Sequence, residues 1–191
     1  MIKPAAILGD ASGPVGPGRL VLVVGPSGAG KDTLLDLARA ACATNGAVVF
    51  PKRTVTREAS SFEDNESLSP ADFAQGLGRG AFAVHWQAHG LYYGLPRSII
   101  DDIRAGRTVV ANVSRTVIAS CRETFANVTV VSVTAPPDVL ARRLAGRARD
   151  SDGKLDDRLR RAVPDAVFDV VINNIGRAED HASELLKVIK R

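Results

Sequence analysis

Residues 19–35 read RLVLVVGPSGAGKDTLL. An unbroken apolar run of this kind predicts a strand buried on both faces. A glycine-rich turn follows it, and then a stretch that predicts a helix from about Lys31 to Ala43. Few folds use strand, glycine loop and helix in that order without placing a phosphate at the junction. Glycines let backbone N–H groups converge on an anion, and the helix N-terminus adds partial positive charge. The phosphate-cradling template is G-x-x-x-x-G-K-[ST]. Gly25, Gly30 and Lys31 satisfy it, with Pro26, Ser27, Gly28 and Ala29 between them. Lys31 is placed to reach β- and γ-phosphates. Asp32 stands where Ser or Thr belongs, and Thr33 brings a hydroxyl one place later. The hydroxyl at that place normally ligates Mg²⁺, and a carboxylate is also a hard oxygen ligand. The metal is therefore assigned to Asp32 or Thr33. The competing reading, a carboxylate that repels phosphate and marks a dead site, has every other feature of the loop against it.

Beyond the loop, strand and helix signals alternate. Short strands are expected at 47–50 (AVVF), 81–88 (AFAVHWQA), 108–113 (TVVANV), 128–133 (VTVVSV) and 168–173 (FDVVIN). Ser69-Pro70 reads as an N-cap with Pro at the first helical position, opening a helix to about Leu77. Pro96 is expected to open the helix PRSIIDDIRA, and Pro136-Pro137 the helix PPDVLARRLAGRAR. Helices are also expected from Ser114, over DDRLRRAV, and from Arg177 to Lys190. This alternation implies an α/β fold, a mostly parallel sheet flanked by helices.

The 191 residues suit one domain, read as residues 19–191 behind a flexible N-terminal arm, 1–18, rich in Gly and Pro. The arm lacks the longer apolar core of a secretory signal, and no apolar run approaches the roughly 18 residues of a membrane span. A cytoplasmic protein without a membrane partner is expected. Cys42 and Cys121 have no metal-ligand spacing and read as buried, reduced thiols. The net charge of +4 rests on 19 Arg against 6 Lys. Arginine grips phosphate at two points where lysine is a point charge. Nucleic acid is one polyphosphate partner and nucleotides are another. Aromatic residues make up only 5%, with no platform for stacking single-stranded bases, so no nucleic-acid partner is expected.

Two arginine groups follow. RTVTR places Arg53 and Arg57 four apart, a spacing that shares a face on a strand and nearly does on a helix. Surface arginines also fall this way by chance. The segment ARRLAGRARDSDGKLDDRLRRA puts Arg143 and Arg147 on one helical face and carries Arg158 beyond a Gly/Asp/Ser break. A mobile arginine lid over about 143–160 fits the pattern, and the alternative is a solvated charged face paired with Asp156 and Asp157.

The chain resembles the guanylate-kinase-like branch of P-loop kinases from Arg19 to Lys190. The resemblance rests on GPSGAGK, Thr56-Arg57, HG-x-YYG at 89–94, the R-x-x-x-R spacing at 143 and 147, Arg158 and the VIN strand end at 171–173. It departs where guanine is read. Arg53 replaces a small residue, Ser60 a second arginine, Leu95 a hydroxyl residue and Asn112 an acid, and the segment FEDNESLS around Glu63 is short. Those departures are similar to ribose 1,5-bisphosphate phosphokinases, in which G-P-S-G-A-G-K-D is ordinary. Here the matching stretches are RTVTR, WQAHGLYYG at 86–94 and VVANVSR at 109–115.

The resemblance implies transfer from ATP, with Mg²⁺, to the 1-phosphate of ribose 1,5-bisphosphate, giving phosphoribosyl diphosphate and ADP in phosphonate breakdown. It implies a small phosphosugar partner, with a homodimer left open. Lys31, Arg143, Arg147 and Arg158 are the implied catalytic residues. Residues 25–33 and Asn173 would hold the nucleotide. Arg53, Arg57, Glu63, His89, Tyr93 and Asn112 would form the acceptor region within about 53–95 and beside it. His89 is equally readable as a structural residue beside a turn, and Tyr93 as a core tyrosine. A guanylate or other nucleoside monophosphate kinase is the enzymatic alternative, and a non-catalytic nucleotide- or protein-binding module the other. A phosphate monoester has a second pKa of about 6, so the acceptor oxygen is already anionic at pH 7. No histidine is needed as a general base.

Overall fold

The computed structural model describes residues 5–7 (as backbone), 13–57, 65–145 and 167–191. Among the described residues, ten strands fall into two sheets of five. We number them β1 (Ala5–Ile7), β2 (Arg19–Val24), β3 (Val48–Val49), β4 (Arg53–Val55), β5 (Asn65–Ser67), β6 (Phe82–Ala88), β7 (Leu91–Pro96), β8 (Thr108–Asn112), β9 (Val128–Thr134) and β10 (Val170–Asn173). The helices are α1 (Lys31–Ala41), α2 (Pro70–Gly78), α3 (Ser98–Arg104), α4 (Ile118–Thr124, after a 3₁₀ turn at Arg115–Val117), α5 (Pro137–Ala145) and α6 (Ala178–Ile189). The helix expected over DDRLRRAV lies outside the described residues.

The first sheet is wholly parallel, ordered β10-β9-β2-β8-β3. Strand β2 lies between β8 and β9, which explains its continuous apolar run. Its alternate residues serve two cores, as the two-residue period of a strand requires. Leu20, Leu22 and Val24 pack with Ile99, Ile103 and Phe125 on one face. Val21 and Val23 pack with Leu34, Ala38, Leu185 and Val188 of α1 and α6 on the other. The expected α/β architecture, a parallel sheet flanked by helices, is thus present. Cys42 and Cys121 are buried and not in a disulfide, and burial pushes the Cys121 thiol up to about 12.

The second sheet, β1-β6-β7-β4-β5, is antiparallel except for the β4–β5 pair. Residues 53–96 supply four of its strands, and Ala5–Ile7, from the expected arm, pairs with β6. Val15, also in that stretch, is buried in the core. Sequence patterning missed β4, β5 and β7. Strands β4 and β5 are three residues each, too short to show a period. In β7 the burial does not alternate. Its hairpin signal lies in the turn: His89 and Gly90 have φ of 53° and 73°, the two positive values of a type I′ connection. Gly94 is required for a different reason, since a Cβ there would come within 2.5 Å of the Phe82 ring. Pro96 closes β7 opposite Phe82 instead of opening a helix, and α3 begins at Ser98. Ser69 caps α2 as expected, accepting a hydrogen bond from the Asp72 N–H with Pro70 at the first turn, a cap of about 1 kcal/mol.

Candidate active site

The glycine loop, residues 25–30, joins the C-terminal end of β2 to the N-terminus of α1. Gly25 has φ 147°, and a side chain there would collide with the Val133 carbonyl of neighbouring β9. Gly30 caps α1 at φ 84°, with no side-chain cap for the first-turn N–H groups. Those donors lie open at the sheet's carboxyl edge, where a turn of this kind can hold an anion. Lys31 Nζ lies back over the loop, donating to the Gly25 and Pro26 carbonyls at 2.9 Å each.

The loop is braced from behind by Asn174, which is 4% exposed. Its Nδ2 donates to the Ala29 carbonyl at 2.8 Å, and its backbone N–H to Thr134. Arg143, at the end of α5, donates from Nη2 to the Asn174 carbonyl at 3.0 Å and from Nη1 to the Gly28 carbonyl at 3.4 Å. The structure therefore places Arg143 directly against the phosphate loop. Asn173, expected near the nucleotide, ends β10 and is exposed. Sequence reasoning passed over Asn174. Val170, Val171 and Ile172 are all apolar, so the alternation that turns Asn174 inward shows only in the structure.

Along α1 lies a cleft that is partly open to solvent. Asp32, Leu35, Asp36 and Arg39 of α1 line it, with Phe50, Arg53, Asn65 and Asn112. Arg53 is held at several points. Its Nε donates to Asn65 Oδ1 at 3.1 Å and its Nη1 to the Asn112 carbonyl at 3.4 Å. Its guanidinium lies 5.2 Å from the Tyr93 ring centroid, and Tyr93 stacks on buried Trp86 at 5.5 Å. Arg57 follows two residues beyond β4. Thr56, just before it, is pinned to β7 by donating its N–H to the Tyr92 carbonyl and accepting the Tyr92 N–H on Oγ1. This is the physical sense of the Thr-Arg pair.

Asn112 ends β8 and connects the two regions. Its Nδ2 donates to Asp32 Oδ1 at 2.8 Å while its carbonyl receives Arg53. Asp32 thus presents a carboxylate, fixed by an amide, in the first turn of α1 beside the phosphate loop. This donor fits Mg²⁺, which takes one or two carboxylates and otherwise binds phosphates and water. Among the described residues no three His, Cys, Asp or Glu side chains gather as a metal cage. Thr33 is exposed in the same turn. His89 occupies the exposed tip of the β6–β7 hairpin. Glu63, Arg147 and Arg158 lie outside the described residues, as does the expected lid beyond Ala145. Of the remaining histidines, burial lowers the His85 pKa. His181 is raised, first by its bond to the Ile175 backbone and then by Glu184 and Asp180.

No protein-family model matches the chain. Two curated proteins named ribose 1,5-bisphosphate phosphokinase PhnN are each 59% identical to it. That of Bradyrhizobium diazoefficiens aligns over 192 residues, covering 100% of this chain and 97% of the relative. That of Rhodopseudomonas palustris aligns over 176 residues, 92% and 90%. Among solved structures, guanylate kinase from Anaplasma phagocytophilum superposes with a TM-score of 0.64 at 19% identity, covering 91% of this chain and 85% of its own. That likeness concerns the fold.

Proposed function

The chain belongs to the ribose 1,5-bisphosphate phosphokinase family, and on that premise we propose how its residues move a phosphoryl group from ATP to the 1-phosphate of ribose 1,5-bisphosphate. The products are 5-phosphoribosyl 1-diphosphate and ADP. The observation that carries the assignment is Arg53. It sits on Tyr93 and is tied to Asn65 and Asn112, in a cleft that reaches the first turn of α1. A fixed guanidinium supplies the charge and the planar fork that a second phosphate requires.

The 25–30 loop and the open first turn of α1 receive the donor phosphates, and Lys31 exchanges its loop carbonyls for the β- and γ-phosphate oxygens. Arg53, Arg57 and Tyr93 hold the acceptor. An oxygen of the acceptor 1-phosphate forms a bond to the γ-phosphorus as the bond from γ-phosphorus to the β–γ bridging oxygen breaks, in line, and ADP leaves. The attacking oxygen carries no proton to remove, so positioning and charge neutralisation supply the catalysis. Mg²⁺, when bound, neutralises charge on the donor phosphates, with Asp32 and Thr33 as the residues to hold it. Arg143, already against the loop, would be joined by Arg147 and Arg158 closing from the lid to exclude water. A cytoplasmic setting is supported by two buried cysteines outside any disulfide.

The test is ADP release, with purified protein and ATP, measured over a panel of phosphorylated sugars and nucleoside monophosphates. Ribose 1,5-bisphosphate is expected to give the highest kcat/KM. A higher value with GMP would overturn the reading.

A further inference from the structure

Arg39 lines the same cleft as Arg53 and comes from a different element. On α1, Asp32, Leu35, Asp36 and Arg39 recur at three- and four-residue spacing, so they share one helix face, and all four border the cleft. At 1.5 Å rise per residue, Arg39 lies about 10 Å along the axis from Asp32. It is therefore at the end of the cleft away from the donor loop. Its guanidinium is 5.8 Å from the Phe50 ring centroid. Stacking uses the flat face of a guanidinium, while its N–H fork donates from the edge. Phe50 itself borders the cleft, so the stack holds Arg39 at the wall. Asp36, on the same helix face, is exposed, where solvent and salt screen its charge.

The acceptor carries phosphates at opposite ends of a pentose. One must meet the donor at the start of α1. The other must then lie further along the cleft, whose lining includes both Arg39 and Arg53. We infer that Arg39 is a specificity-determining residue that, together with Arg53, binds the non-reacting 5-phosphate, and so selects a doubly phosphorylated pentose over a singly phosphorylated one. This rests on the reading that ribose 1,5-bisphosphate is the acceptor.

The experiment compares the full-length wild type with Arg39→Gln and Arg39→Lys. It measures KM and kcat for ribose 1,5-bisphosphate, and inhibition constants for ribose 5-phosphate and ribose 1-phosphate as competitors. Losing a charge-assisted pair predicts that Arg39→Gln raises KM for the bisphosphate about 10- to 100-fold. The inhibition constant of ribose 5-phosphate is expected to rise by a similar factor, with that of ribose 1-phosphate changed less than about twofold. Arg39→Lys keeps the charge without the fork and should recover part of the loss. The melting temperature and ATP affinity of both variants check that the fold and donor loop survive. An unchanged KM, or equal weakening of both monophosphates, overturns the Arg39 assignment while leaving the acceptor reading intact. A wild type that turns over GMP and not the bisphosphate overturns both.

Discussion

The donor side and the acceptor side of this site are built by different means. The proposed donor loop hangs from the central strand of a parallel sheet and offers mainly backbone N–H groups, shaped by glycines at φ 147°, 81° and 84°. The proposed acceptor cleft is walled by side chains from short strands and one helix face, held by amide and aromatic contacts such as Asn65–Arg53 and Arg53–Tyr93. A backbone site tolerates few sequences, because each glycine answers a steric demand. A side-chain site can be re-aimed by single replacements. One scaffold can then keep its donor while changing its acceptor. Asn112 joins the halves, taking Arg53 on its carbonyl and giving its amide to Asp32.

If the donor half is common to any acceptor, Lys31→Ala should lower kcat about 10³-fold or more with every acceptor tried, and leave the melting temperature near that of the wild type. A loss confined to one acceptor would break the division. Replacing Arg53 by Ala sharpens it from the other side. KM for ribose 1,5-bisphosphate should rise about 10- to 100-fold, while ATP affinity measured by calorimetry stays within about twofold. Equal weakening of ATP would mean that Arg53 serves the donor as well.

A smaller effect is expected behind the loop. Asn174→Ala leaves the Ala29 carbonyl without its buried donor, a cost of about 1–3 kcal/mol in stability. It should be read by denaturant melts, with ATP affinity reduced more than acceptor affinity. The smallest effect concerns pH. His181 holds the Ile175 backbone and Glu184, and its pKa lies above the ordinary 6.5. A raised folded-state pKa gives stability that is full below the unfolded value and lost as pH rises through the folded one. The melting temperature lost in His181→Ala should therefore be larger near pH 5.5 than near pH 8.5. The opposite trend would show that His181 is held in its neutral form.

The sequence disclosed these halves unequally, for the same physical reason. Gly25, Gly30 and Lys31 fall at fixed spacing because one turn geometry dictates them, and the buried strands of the parallel sheet announce themselves as apolar runs. Strands β4 and β5 have three residues each and owe their existence to tertiary pairing, so no local pattern marks them. Pro96 carried a helix-start signal that the β6–β7 ladder overrode. Tyr93 and Asn112 were readable as site residues only through resemblance, and Arg53 otherwise only through its weak four-residue spacing from Arg57. Their mutual contacts, and the place of Arg143 against Gly28 and Asn174, needed coordinates. Arg39 was legible in principle, two helical turns from Asp32 on one face, yet nothing local separates it from an ordinary surface arginine.

The most direct measurement follows phosphorus itself. Purified protein, ATP and ribose 1,5-bisphosphate are incubated and watched by ³¹P NMR. A coupled pair of diphosphate resonances should grow as the sugar 1-phosphate signal falls, with the 5-phosphate signal retained and ADP formed in equal amount. Consumption of ATP to free phosphate with the 1-phosphate resonance undiminished would contradict the account.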